Sequence, residues 1–158
     1  MCLFVRTDNV PTTEKTNRKF PLILTTRRIL SQYNVGAQTR RTENSDWHAE
    51  DMLEIHASDA EAMGVHDGHW VSVKSRKGEI TLRAHISKRM APGVVYTTFH
   101  HPETGANVIT TENSDWATNC PEYKVTAVAV APANHRSKWQ ENYSMTTPRM
   151  RSIAEPAE

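Results

Sequence analysis

The hydrophobic positions of this chain fall into six short runs separated by long polar stretches. "FPLILTT", Phe20 to Thr26, is apolar and rich in branched residues and is bounded by polar ones, the pattern of a buried strand. "MLEIH", Met52 to His56, reads as a second strand. "HWVSVKS", His69 to Ser75, and "EITLRAHI", Glu79 to Ile86, follow, the latter with Ile80, Leu82, Ala84 and Ile86 on one face of a period-two pattern. "GVVYTTF", Gly93 to Phe99, and "YKVTAVAV", Tyr123 to Val130, complete the set. A short helix is predicted from Ser58, where Ser58 and Glu61 form a capping-box pattern and Gly64 supplies a left-handed stop. Between the third and fourth runs, Arg76, Lys77 and Gly78 predict a tight hairpin turn, with the glycine where a positive φ is most needed. Six short strands with one or two short helices predict a mainly β fold, a barrel or sandwich, and not an alternating α/β sheet.

The polar stretches carry an internal repeat. The hexapeptide "TENSDW" occurs at Thr42 to Trp47 and again at Thr111 to Trp116. Gly36 to Trp47 aligns on Gly105 to Trp116 without a gap and with eight identities, Gln38 standing opposite Asn107. Each copy follows a strand ending in "TT" and precedes another strand, so the chain reads as two halves of one duplicated design. The hexapeptides themselves are expected to be scaffold, with Trp47 and Trp116 anchoring the return strands.

Length allows one domain with one sizeable core. The folded body is expected over residues 20–132, after a flexible leader at 1–19 and before a peripheral tail at 133–158. Lys and Arg number 19 against 18 Asp and Glu, and a net charge of +1 provides no global attraction to nucleic acid or to an anionic membrane. Cys2 and Cys120 are too few for a disulfide framework, which fits a reducing cytoplasm. The opening residues contain only a short apolar run, from Cys2 to Val5, and make neither a secretory segment nor a membrane span.

Candidate chemistry lies in the two polar loops, each placed directly after a buried strand. The first gathers Arg27, Arg28, Arg40 and Arg41 with hydroxyls, amides and Gly36, a set that suits phosphate oxygens, although arginine-rich loops also occur as solvated surface. The second holds Phe99, His100, His101, Asn107, Asn119, Tyr123 and Lys124. Adjacent histidines on a strand point to opposite faces, so His100 and His101 do not make a metal pair by spacing alone. Asn107 and Asn119 carry planar amides able to read the edge of a heterocycle, or else to cap turns. P-loop, GxSxG, HExxH and GxGxxG patterns are absent from the sequence.

The strings "LTTRRILSQYNVGAQTRR" and "DWATNCPEYKVTAV" carry a resemblance. They resemble the C-terminal molybdopterin-dinucleotide-binding domain of the dimethyl sulfoxide reductase superfamily. Within it the chain is most similar to the alpha subunit of NAD-linked molybdenum or tungsten formate dehydrogenases. The resemblance covers roughly Phe20 to Gln140. It implies a double-psi β-barrel that binds part of a bis(molybdopterin guanine dinucleotide) cofactor. The family's "TGR" turn falls on Thr26, Arg27 and Arg28 and continues through Ile29, Leu30, Ser31, Gln32, Tyr33, Asn34 and Val35 as cofactor-wrapping residues. Phe99 matches the residue near the substrate channel, Asn107 the cofactor-contacting asparagine and Lys124 the lysine after "PEY". Gly36, Thr39, Arg40, His100, His101, Asn119 and Tyr123 flank them as further cofactor-binding candidates. The family's "TTGR" is "TTRR" here, so Arg27 occupies a position where glycine would permit close backbone approach.

By this resemblance the chain is the cofactor-binding cap of a formate dehydrogenase. The complete enzyme would oxidise formate to carbon dioxide and pass electrons to NAD through iron-sulfur and flavin centres located elsewhere. The remaining domains or subunits of that enzyme are the expected partners, and the isolated chain is not expected to be catalytic or to carry a metal ligand. Rival readings are a free-standing cofactor-binding subunit, as in formylmethanofuran dehydrogenases, and a degenerate fragment that binds nothing.

Overall fold

The computed structural model describes residues 3–6, 8–115 and 117–146. Cys2, Trp116 and the tail beyond Thr146, all named above, lie outside the described residues. Six strands form the core element set: β1 Leu22–Thr26, β2 Met52–Ile55, β3 Trp70–Lys74, β4 Glu79–Ile86, β5 Val94–Thr97 and β6 Thr126–Pro132. Helix α1 spans Ala57–Ala62 and helix α2 spans Lys138–Thr146, and four short 3-10 turns lie in the two polar loops.

The strands close into a barrel in the order β1-β5-β2-β4-β3-β6, which removes exposed sheet edges. The order shows how the halves interlock. β5 lies between β1 and β2, parallel to the first and antiparallel to the second. β1 in turn lies between β5 and β6, antiparallel to β6. Each half's first two strands are thus separated by a strand of the other half, which is the double-psi arrangement expected from the sequence. The barrel is filled by inward-facing Leu24, Leu53, Ile55, Val71, Val73, Ile80, Val95 and Val128, all without exposed surface. Each such side chain contributes about 1.5–3 kcal/mol on burial.

Two side chains from the flanking segments fill gaps in the strand ladder. Glu14, from the leader expected to be flexible, is buried and accepts from the Ala127 amide at 2.9 Å while pairing with Arg76. Gln140, from α2 in the expected tail, accepts from the Thr81 amide at 2.8 Å and donates to the Thr81 carbonyl at 2.9 Å, as a neighbouring strand would. Both ends of the expected body are therefore tied down, because an unpaired backbone group in the buried wall is costly.

Local readings need three corrections. The N-cap of α1 is His56, whose side chain accepts from the Ser58 amide, so the helix starts one residue before the predicted Ser58; Gly64 has the expected left-handed φ of 66°. Gly78 is not in the positive-φ region; it is glycine because a Cβ there would lie 2.7 Å from Val108 Cγ1 and 2.9 Å from the Val108 carbonyl oxygen. Trp47 is 64% exposed and anchors nothing, since its hexapeptide is wound as a 3-10 helix, Glu43–Trp47, on the surface. The second copy folds differently. There Ser114 bridges to Pro121, and the Asp115 carboxylate accepts from the amides of Ala117, Thr118 and Cys120.

Candidate functional site

The parallel register of β1 and β5 sets the site. Thr26 pairs with Thr97, so the chain leaves both strands at the same end of the barrel and both polar loops begin side by side. The second loop also returns to this point, where the buried Thr26 hydroxyl donates to the Tyr123 carbonyl at 3.3 Å, bringing Tyr123 and the exposed Lys124 to the end of β1.

Arg27 and Arg28 open the first loop and are exposed. The Arg27 guanidinium lies 5.7 Å from the Tyr96 ring centre and that of Arg28 5.9 Å from the Phe99 ring centre. The platform orients each cation without neutralising it. Neither has a carboxylate partner among the described residues. Arg27 has ordinary negative φ, and its amide donates to the Thr97 carbonyl at 3.2 Å, so arginine at this turn costs no backbone strain.

From Ile29 to Gly36 the loop makes an arc around His100. His100 has no exposed surface. Its Nε2 accepts from the Ile29 amide at 3.2 Å and its Nδ1 faces the Asn34 carbonyl oxygen. The carbonyl can only accept, so Nδ1 carries the proton and Nε2 is bare. Asn34 and Asn119 are the non-glycine residues with positive φ among those described, at 48° and 54°, one in each loop. Gly36 follows with φ of 68°, and a Cβ on it would lie 2.8 Å from Arg40 and 2.8 Å from the His100 carbonyl oxygen. Gly105, its counterpart in the repeat, has φ of 69°.

The rest of the arc divides into buried ties and exposed faces. Ser31 and Gln32 are buried; the Ser31 hydroxyl meets His48 Nδ1 at 3.2 Å, and Gln32 Oε1 accepts from the Thr39 hydroxyl at 2.6 Å. Among the described residues, Gln32 Nε2 is a buried donor without a partner, as is Arg40 Nε. Leu30, Tyr33 and Val35 instead project outward, 94%, 65% and 49% exposed. Arg40 ties the two loops through Glu103 at 3.5 Å.

A residue missed in the sequence organises the start of the second loop. Asp51, buried just before β2, accepts from the Thr98 hydroxyl, from the amides of His100 (3.2 Å) and His101 (3.0 Å), and from His101 Nδ1 (3.1 Å). Burial alone pushes its carboxyl toward protonation, but the hydrogen bonds from His101 and Thr98, with the His101 charge, outweigh this and hold it below the usual carboxylate range. A lone aspartate ahead of a strand has no spacing signal, since its partners lie 47 to 50 residues away. His100 and His101 consequently face different neighbours, the arc and Asp51. Asn107 and Asn119 stay apart from this cluster: no hydrogen bond joins either to the arc among the described residues, and Val108 beside Asn107 packs on Gly78 at the β3–β4 turn.

Beside the arc, a cavity of about 1010 Å³ opens between the first loop, β4 and α2, lined in part by Arg40, Arg41, Asp51, His101, Arg136 and Gln140. No helix among the described residues is long and apolar enough to cross a membrane.

The family model for the molydopterin dinucleotide binding domain matches residues 22–127 of this sequence, from the first residue of β1 into β6. The chain belongs to that family. The molydopterin-binding chain is 40% identical over 118 residues to the F420-dependent formate dehydrogenase 1 subunit alpha of Methanococcus maripaludis, covering 74% of this chain and 18% of the relative. It is 32% identical over 157 residues to formate dehydrogenase H of Escherichia coli, covering 96% of this chain and 22% of that one. Among solved structures, the acetylene hydratase of Pelobacter acetylenicus shares the fold with a TM-score of 0.63 at 16% identity, over 73% of this chain and 19% of the hydratase. The chain thus spans about a fifth of the length of the relatives it matches. A molybdopterin guanine dinucleotide carrying molybdenum or tungsten, expected from the sequence, is the cofactor that this membership supports.

Proposed function

We propose that the chain forms the cofactor-binding cap of a formate dehydrogenase, holding one part of a bis(molybdopterin guanine dinucleotide). The observation that carries this reading is the common exit of β1 and β5, which sets two exposed, uncompensated guanidiniums beside a strained arc and the Tyr123–Lys124 return. Arg27 and Arg28 would meet the diphosphate, for which planar forks without carboxylate partners are suited. The arc from Ile29 to Gly36, with Gln32, Asn34 and Thr39, would supply amide and hydroxyl groups to the heterocycle, and the unpaired Gln32 Nε2 supports a ligand or water there. Arg40, His101, Asn107, Asn119, Tyr123 and Lys124 complete the proposed contact set, with Phe99 toward the substrate channel. When bound, the cofactor supplies the two-electron chemistry at its metal, and this chain supplies position and charge.

The reaction of the whole enzyme, formate to carbon dioxide, follows the names of the formate dehydrogenases the chain matches. NAD as final acceptor rests only on the resemblance to NAD-linked formate dehydrogenases, whereas three of the relatives are named for F420. Acceptor choice belongs to centres outside this chain, in the remaining domains or subunits that are its proposed partners. Residues 20–132 are the proposed binding body, and a cytoplasmic setting fits the two cysteines.

The test is a titration of the purified chain with guanosine 5′-diphosphate, followed by backbone amide shifts. Changes confined to residues 25–41 and 99–124 are expected; an unchanged spectrum at millimolar nucleotide would overturn the binding claim.

A further inference from the structure

Most buried side chains in the barrel fill space. His100 is different, because every polar atom it owns is committed to the same task. Its amide is held by Asp51 at 3.2 Å, its carbonyl oxygen lies only 2.8 Å from where a Cβ on Gly36 would be, and its ring joins the amide of Ile29 to the carbonyl of Asn34. It belongs to the second loop, yet it touches the first loop at Ile29, Asn34 and Gly36. Asn34 is also held in the left-handed region, a conformation that persists only when neighbouring contacts determine it.

We propose that His100 is the positioning residue of the cofactor arc: in one neutral form, protonated on Nδ1, it clamps Ile29 and Asn34 and transmits the placement of the second loop to the first. This rests on the reading of the arc as cofactor-binding. His100 touches no ligand in this scheme. It determines whether the arc is preformed, so binding does not have to order it.

Two facts make the clamp specific to histidine. The imidazole offers an acceptor and a donor on one rigid ring, and the arc demands one of each at opposite ends. Asparagine places a donor near the Nδ1 position and can keep Asn34, while glutamine reaches the Nε2 position with an acceptor and can keep Ile29. Leucine fills the volume and keeps neither. Asp51 binds the backbone of residue 100 and is retained in all three variants.

The test uses the full chain with guanosine diphosphate as probe. In the free wild-type chain, the ¹⁵N signals of His100 should show a protonated Nδ1 and an unprotonated Nε2. Amide exchange should speed up at Ile29 in His100→Asn and at residues 34–36 in His100→Gln, with the barrel strands unchanged. Nucleotide affinity should fall severalfold in each and tenfold or more in His100→Leu. If ¹⁵N signals show the other tautomer, or if the Asn and Gln variants leave arc exchange and nucleotide affinity at wild-type levels, the inference is wrong. Should the wild-type chain itself fail to bind the nucleotide, the cofactor reading of the arc falls, and the ¹⁵N and exchange results still decide whether His100 clamps it. A His100→Leu chain that does not fold is replaced by the Asn and Gln pair, which decide the question alone.

Discussion

Gly105 sits beneath the indole of Trp139, and a Cβ on the glycine would collide with Cζ3 of the ring. The contact docks α2 onto the second loop, and Trp139 is itself stacked on Tyr143 with ring centres 5.2 Å apart. With φ of 69°, Gly105 also pays a backbone penalty for any side chain. Gly105→Ala is therefore expected to lower stability by about 1–3 kcal/mol, through left-handed strain and displacement of the indole. In a double-mutant cycle, Trp139→Ala should relieve the steric share and leave the strain share. Additive losses in denaturant unfolding would show that the two residues are independent.

The buried carboxylate Asp51 gives an acid limit to stability. Its folded-state pKa is depressed, so its contribution is present above the ordinary aspartate range and is lost as pH falls through the folded value. Asp51→Asn is expected to cost about 1–3 kcal/mol at pH 7, since an amide brings a donor where four donors already converge. The difference from wild type should shrink as the solution is taken below the folded pKa. A constant difference across that range, measured by urea unfolding, would remove Asp51 as the titrating group.

Arg27 makes the opposite prediction to the one its sequence position suggests. Glycine at this turn would ease close approach, yet Arg27 is unstrained and has no carboxylate partner among the described residues. Arg27→Gly is expected to weaken guanosine diphosphate binding by about 1 kcal/mol, roughly fivefold, and to flatten its salt dependence. Guanosine, without phosphates, should bind both forms alike. Tighter nucleotide binding by the glycine variant would mean that side-chain bulk outweighs charge here.

Most of the fold was legible because it is written in local pattern. β4 was read with the bounds it has, Glu79 to Ile86, since alternation over eight residues is a strong period-two signal. What escaped was non-local. Asp51, Glu14 and Gln140 each act on backbone groups far along the chain, and one polar residue in a polar stretch announces no partner. Gly78 was read for a turn and is explained by Val108, which approaches from thirty residues away. The two polar loops do follow directly after the buried strands β1 and β5, as their position in the sequence predicts. Within them residue type did not distinguish exposed Arg28 from buried His100, a difference that depends on which side chain the other loop covers. The repeated hexapeptide shows the limit most plainly, with one spelling and two conformations.

The two side chains that fill gaps in the strand ladder invite a direct comparison. Glu14→Ala strands the Ala127 amide, and Gln140→Ala strands both backbone groups of Thr81. Each is expected to cost about 1–3 kcal/mol, with amide exchange accelerating first at Ala127 or Thr81. Global exchange with no such local onset would contradict the role given to these side chains.

The exchange of strands between the halves has a consequence for how the molecule comes into being. β1 and β2 have no wall between them until β5, 68 residues beyond the end of β1, has been inserted. A chain severed between α1 and β3 would yield two pieces, neither able to close the barrel, and β5 would find its partners β1 and β2 only when the pieces meet. The duplicated units behave as two parts of one mutual template, and the end of the barrel that bears the arc comes into existence only at the moment of that union.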